Sequence, residues 1–248
     1  METKVLEYIQ QPLPSDMRVV SQSIPVLFFG NIETATIATF GINPSKREFL
    51  DKNDALLPVS EKRFIDRSIL GVSDNEMLTT EDARKVYKSL LEYFDDSKHP
   101  YGKWFNVLDS IFKGFKFSYY SGSLIHLDIY PWATNPTWNS LFANERKKMI
   151  ENGKKCLDIV LESSKISAIY INGRSAMNHF EDNICKMKSI ENFQVERLSY
   201  ELKQGNYKGK RIIGWSTNLQ SSYGVSTEFI LSLEGKVKKI IGDLPTSI

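Results

Sequence analysis

The stretch Ala35-Thr36-Ile37-Ala38-Thr39-Phe40-Gly41-Ile42-Asn43-Pro44-Ser45 decides how this chain is read. Residues 35–40 are apolar or β-branched throughout, the composition of a central strand covered on both faces. Gly41 then permits a positive φ or a close backbone approach, and Pro44 fixes the turn and stops the strand. In an open parallel sheet, ligands bind just beyond the carboxyl ends of the strands. The chemistry is therefore expected where the strand gives way to Gly41-Ile42-Asn43-Pro44-Ser45.

Two further strands follow from the same kind of pattern. Leu124–Tyr130 is apolar and closed by Pro131, and Ile166–Ile171 ends at Asn172-Gly173-Arg174. Ile24–Phe29 reads as an edge strand or an extended segment, and Phe193–Tyr200 is expected to pair with Lys210–Trp215 through a turn at Gly205-Asn206. Between the strands the period changes to that of a helix. Thr79 with Asp82 forms a capping-box pattern ahead of Val86, Leu90, Leu91 and Phe94. Residues 101–112 and 145–161 are amphipathic, and shorter helices are expected over 61–70, 175–180 and 226–239. The aromatic face of 101–112, with Trp104 and Phe105, reads as core. Residues 1–23 contain Pro12 and Pro14 and little periodicity, so they read as a surface-lying lead-in. Strands alternating with helices imply parallel pairing. The expected fold is one α/β domain over 1–248, a three-layer α/β/α arrangement with a mostly parallel, four-stranded central sheet.

Bulk properties narrow the classes of function. With 248 residues and a net charge of +2, the chain is no polycation, so any nucleic-acid site must be a local face. Lys46, Arg47, Lys52, Lys62 and Arg63 could supply one. No apolar run approaches the ~18–20 residues of a membrane span, and Met1–Glu7 lacks the features of a signal peptide. Two cysteines, Cys156 and Cys185, and three histidines argue against a metal site and for a reduced, cytoplasmic setting. No cofactor is expected, and a monomer is.

All the strand ends are polar, carrying Asn43, Asp128, Asn172 with Arg174, and the Ser216–Ser222 loop. Parallel pairing would bring them together in one cleft. Asp128 stands out because it lies within the apolar run Leu127-Asp128-Ile129, where a carboxylate is costly unless paired or hydrogen-bonded. His126 is expected on the opposite strand face, as a core histidine.

Gly41-Ile42-Asn43-Pro44-Ser45 resembles the first motif of the uracil-DNA glycosylase superfamily, closest to the Gly-Ile-Asn-Pro-Gly of its mismatch-specific branch. Gly102-Lys103-Trp104-Phe105-Asn106-Val107-Leu108 is similar to that family's Phe-Trp-x-x-Leu helix. His126-Leu127-Asp128-Ile129-Tyr130-Pro131 resembles its base-reading strand, and Ala168–Gly173 followed by Ala176 resembles its third strand. The motifs stand in the family's order over roughly residues 24–240.

The resemblance implies a monofunctional DNA glycosylase that flips a nucleotide out of DNA, hydrolyses its N-glycosidic bond and leaves an abasic site. Asn43 matches the residue that positions the attacking water. Asn218, in Thr217-Asn218-Leu219-Gln220-Ser221-Ser222, best matches the group facing the departing base, although the family's His-Pro-Ser or Asn-Pro-Ser is not reproduced there. Gly41 and Ile42 would border the base, with Phe49 stacking on it and Phe64 as the second choice. Ser45, Lys46, Arg174, Ser221, Ser222 and Tyr223 would meet DNA, and Leu219 or Tyr223 would wedge into the vacated stack.

Asp128 replaces the family's Asn. A carboxylate cannot donate to uracil O4, but it accepts from the exocyclic amine of cytosine. Ring N3 of cytosine is also an acceptor, so Asp128 would need suitable geometry or a retained proton. The implied target is a modified cytosine, such as the glucosylated hydroxymethylcytosine of phage DNA, and the implied role is anti-phage defence. The alternatives are a uracil or mismatch repair glycosylase, and a non-catalytic nucleic-acid-binding module.

Overall fold

The computed structural model describes residues 2–95, 100–195, 198–220 and 225–242. Its centre is a six-stranded mixed sheet, not the four-stranded one expected. The strands are β1 (Ile37–Gly41), β2 (Leu124–Asp128), β3 (Ala168–Asn172), β4 (Lys188–Val195), β5 (Leu198–Tyr207) and β6 (Lys210–Trp215). They lie in the order β2-β1-β3-β6-β5-β4. The first four in that order are mutually parallel, and β5 and β4 add an antiparallel ribbon at one edge. The register sets Gly41 beside Asp128 and Asn172 beside Trp215, so the polar strand ends fall in one row.

The ribbon is where sequence pattern and structure part. Residues 188–195 are mostly exposed, so β4 has no buried face to produce an alternating signal. The turn into β6 lies at Lys208-Gly209, both at positive φ as a two-residue hairpin with the strands' twist requires, while Gly205 and Asn206 stay within β5.

Helices cover both sheet faces. The described α-helices are α1 (Glu2–Ile9), α2 (Arg67–Leu70), α3 (Thr80–Leu91), α4 (Gly102–Lys113), α5 (Ala143–Ser163), α6 (Arg174–Asn183) and α7 (Thr227–Gly242). Side chains alternate faces along a strand. Phe105 and Phe112 of α4 pack edge-on against His126 and Tyr170 on one face. Phe180 of α6 meets Phe40 on the other, with ring centres 5.1 Å apart. The Thr79 cap forms as the sequence indicates, its hydroxyl accepting from the Asp82 amide at 3.1 Å. The lead-in is more than a surface segment: α1 buries Val5, Leu6 and Ile9, and packs against α3 and α5. Residues 24–29 are extended along the outer edge of β2, where Phe29 and His126 exchange backbone hydrogen bonds and blunt that edge. Among the described residues no helix is long and apolar enough to cross a membrane.

Candidate functional site

At the carboxyl ends of the parallel strands lies a cleft of about 400 Å³. Gly41, Asn43, Glu48, Asp128, Arg174 and Asn218 all line it. Its walls are the start of α4 on one side of the sheet and the start of α6 on the other. The convergence expected from the sequence is therefore present. Ile42 and Ser45 also border the cleft, while Ser221, Ser222 and Tyr223 lie outside the described residues.

Asn43 is fixed by its amide nitrogen. Nδ2 donates to the Pro44 carbonyl at 3.1 Å, and to the Trp132 carbonyl and Thr134 Oγ1 at 3.3 Å each. Carbonyl oxygens accept only, so they determine which way the amide points. Oδ1 has no hydrogen-bond partner among the described residues and remains an acceptor at the cleft wall.

Asn218 is held in the opposite sense. Its Oδ1 accepts from Asn172 Nδ2 and from the Gln220 amide, both at 3.0 Å, and its Nδ2 is a donor without a partner among the described residues. Asn172 is the pillar of this loop. It also donates to Gln220 Oε1, and it accepts from Trp215 Nε1 and the Leu219 amide. Gly173 sits at φ 95°, and a Cβ there would lie 3.0 Å from the Asn218 Cβ, so the loop's position demands glycine.

Asp128 is buried, and its Oδ1 lies 3.4 Å from His126 Nε2. The expectation that His126 faces away is corrected: residues two apart on a strand share a face, and here they form a pair. His126 Nδ1 lies 2.7 Å from Thr39 Oγ1, which is 2.5 Å from the Tyr119 hydroxyl. Thr39 Oγ1 also donates to the Ile125 carbonyl at 3.4 Å, so this hydroxyl ties the His126 ring to Tyr119 and to the β2 backbone. Asp128 Oδ2 keeps its accepting capacity for a ligand. The pair fits because residue 41 is glycine: a Cβ there would lie 2.5 Å from Asp128 Oδ1 and 2.9 Å from His126 Nε2.

Other expectations change. Phe49 and Phe64 do not line the cleft; they stack on each other at 5.7 Å within the core, because Tyr93 and Phe29 complete a cluster around them. The aromatic surfaces that do line it include Trp104 and Tyr101, about a third exposed, and the buried Phe105 and Trp138. The face of α4 read as core thus serves the cleft at its first turn. Leu219 is buried and cannot act as a wedge in this conformation. Lys46 is engaged with Asp54 at 2.7 Å and Asn135 at 3.2 Å, and Arg47 shares Asp54, so the basic run after Ser45 is largely neutralised. Arg174 is exposed at the start of α6.

Glu48 escapes sequence reasoning. In Lys46-Arg47-Glu48 it looks like a solvated charge, yet it is 3 % exposed and borders the cleft. The spacing from Ser45 marks the start of a 3-10 turn, capped by the Ser45 hydroxyl, but not the burial of its third residue. No protein-family model matches the chain, and neither does any curated protein.

Proposed function

We propose that the protein is a base-flipping DNA glycosylase of the uracil-DNA glycosylase type, acting on a cytosine-type base. The observation that carries this reading is the opposed setting of two amides in one cleft. Asn43 offers a fixed acceptor suited to orient a water molecule, and Asn218 offers a fixed donor suited to the base on which negative charge develops. The cleft volume of about 400 Å³ lies within the range of small-molecule sites and leaves room for a substituted base. The parallel pairing of β2, β1, β3 and β6 supports the reading by gathering both amides at one edge of the six-stranded sheet.

Asp128 reads the base. Its paired oxygen faces His126, and its other oxygen accepts from an exocyclic amine, which cytosine has and uracil lacks. Indiscriminate removal of ordinary cytosine would damage the host's own DNA. The target is therefore a modified cytosine such as glucosylated hydroxymethylcytosine, and removing it from phage DNA would serve defence.

The test is to incubate the protein with duplexes carrying uracil, a G·T mismatch, cytosine, hydroxymethylcytosine or its glucosylated form, and to score alkali-labile abasic sites. Release is expected from a modified cytosine and not from uracil. Cleavage only at uracil contradicts the role given to Asp128, and binding without cleavage favours a non-catalytic module.

A further inference from the structure

Among the described residues two carboxyl groups border the cleft, and the roles above engage Asp128 alone. Glu48 arrives from the 3-10 turn that follows Asn43-Pro44-Ser45. Its Oε2 accepts from the Tyr93 hydroxyl at 2.9 Å and lies 3.7 Å from Arg63 Nε. Tyr93 is itself fixed by the backbone N–H of Tyr101 at 3.1 Å, and Arg63 lies over the Tyr101 ring. Among the described residues Oε1 has no hydrogen-bond partner, and the carboxyl that carries it is more than nine-tenths buried at the border of the cleft.

On the glycosylase reading, we propose that Glu48 is an acid–base residue of this cleft, donating a proton from its carboxyl to the departing base and regaining one from the attacking water. The electron pair of the C1′–N1 bond leaves with the base, and the Glu48 proton binds N3 or O2 of the ring, so the base departs neutral. Water oriented by Asn43 forms the new C1′–O bond, and its surplus proton restores the Glu48 carboxyl.

Burial pushes the Glu48 carboxyl up to about 7, so it holds a proton near neutrality where an ordinary glutamate does not. Of the charged groups facing it, Arg63 and the Tyr93 hydroxyl oppose that rise, whereas Asp128 beyond them on β2 adds to it. His126 on β2 is directed to Asp128 and not to Glu48. Cytosine also needs such a donor: with Asp128 accepting from its amine, ring N3 still seeks a proton, and anionic cytosine is a poor leaving group.

Single-turnover base release by wild type and Glu48→Gln across pH 5–9, on whichever duplex wild type cleaves, tests the proposal. Wild-type release should fall as pH rises through about 7. Glu48→Gln should lose ~10²–10⁴-fold in rate and lose that pH dependence with it. A Glu48→Gln protein that keeps the full rate, or the same pH profile, overturns the proposal and leaves the glycosylase reading standing. A wild type that releases no base from any duplex defeats both. Independently of activity, carbon NMR of the glutamate carboxyls, with Glu48 assigned by its loss in Glu48→Gln, should give a midpoint near 7. A midpoint near the ordinary 4.5 overturns the proposal whatever the protein cleaves.

Discussion

At residue 41 a single hydrogen in place of a methyl group keeps the His126–Asp128 pair in the cleft floor. Gly41→Ala should force both side chains aside at a cost of ~1–3 kcal/mol, read as a lower urea midpoint, and should impair base release as well. Asp128→Asn is nearly isosteric and exchanges an acceptor for an amide that also donates. It should move the preference from a cytosine-type base toward uracil, by ~1–3 kcal/mol of discrimination in competition between the two duplexes. Glu48 gives a signed prediction for stability. Its folded value near 7 lies above the ordinary 4.5, so the native state holds the proton more tightly. As pH rises between those values the unfolded carboxyl ionises first, and native stability falls by up to ~3 kcal/mol. Glu48→Gln carries no charge to bury, so it should gain on wild type between pH 4 and pH 8 in urea melts. A difference independent of pH would contradict the burial argument.

Among the strands, those buried on both faces are legible in the sequence and the exposed β4 is not, while the amphipathic helices α3, α4 and α5 are legible from their period. β1, β2 and β3 are short apolar runs ending in glycine or polar residues, and they form where expected. Because the parallel register is set by these runs, the gathering of Asn43, Asp128, Asn172 and Asn218 is legible too. β4 is mostly exposed and α1 follows no obvious cap, so neither leaves a local signal. Glu48 and the buried stacking of Phe49 depend on where α3 and α4 place Tyr93 and Phe105, contacts remote in sequence. Two element-scale tests follow. Ile9→Ala in α1 should cost ~2–5 kcal/mol in a thermal or urea melt, an effect a loose lead-in would not show. Asn172→Ala leaves Trp215 Nε1 and the Leu219 amide without their acceptor, so it should cost ~1–3 kcal/mol and should weaken base release by releasing Asn218.

Over the whole molecule, charge is nearly balanced at +2, and Lys46, Arg47 and Lys62 near the first motif are tied to Asp54 and Asp66. DNA affinity should then depend only shallowly on salt, with recognition resting on the flipped nucleotide. Arg174→Ala should reduce the slope of log affinity against log salt by about one, while binding weakens equally on all duplexes.

The most direct measurement is abasic-site formation in a duplex carrying modified cytosine, comparing wild type with Asn43→Ala. Wild type should release the base and the variant should lose ~10²-fold or more in rate while still folding cooperatively in a urea melt. Equal release by both proteins would contradict the water-positioning role of Asn43, and with it the place given to the cleft.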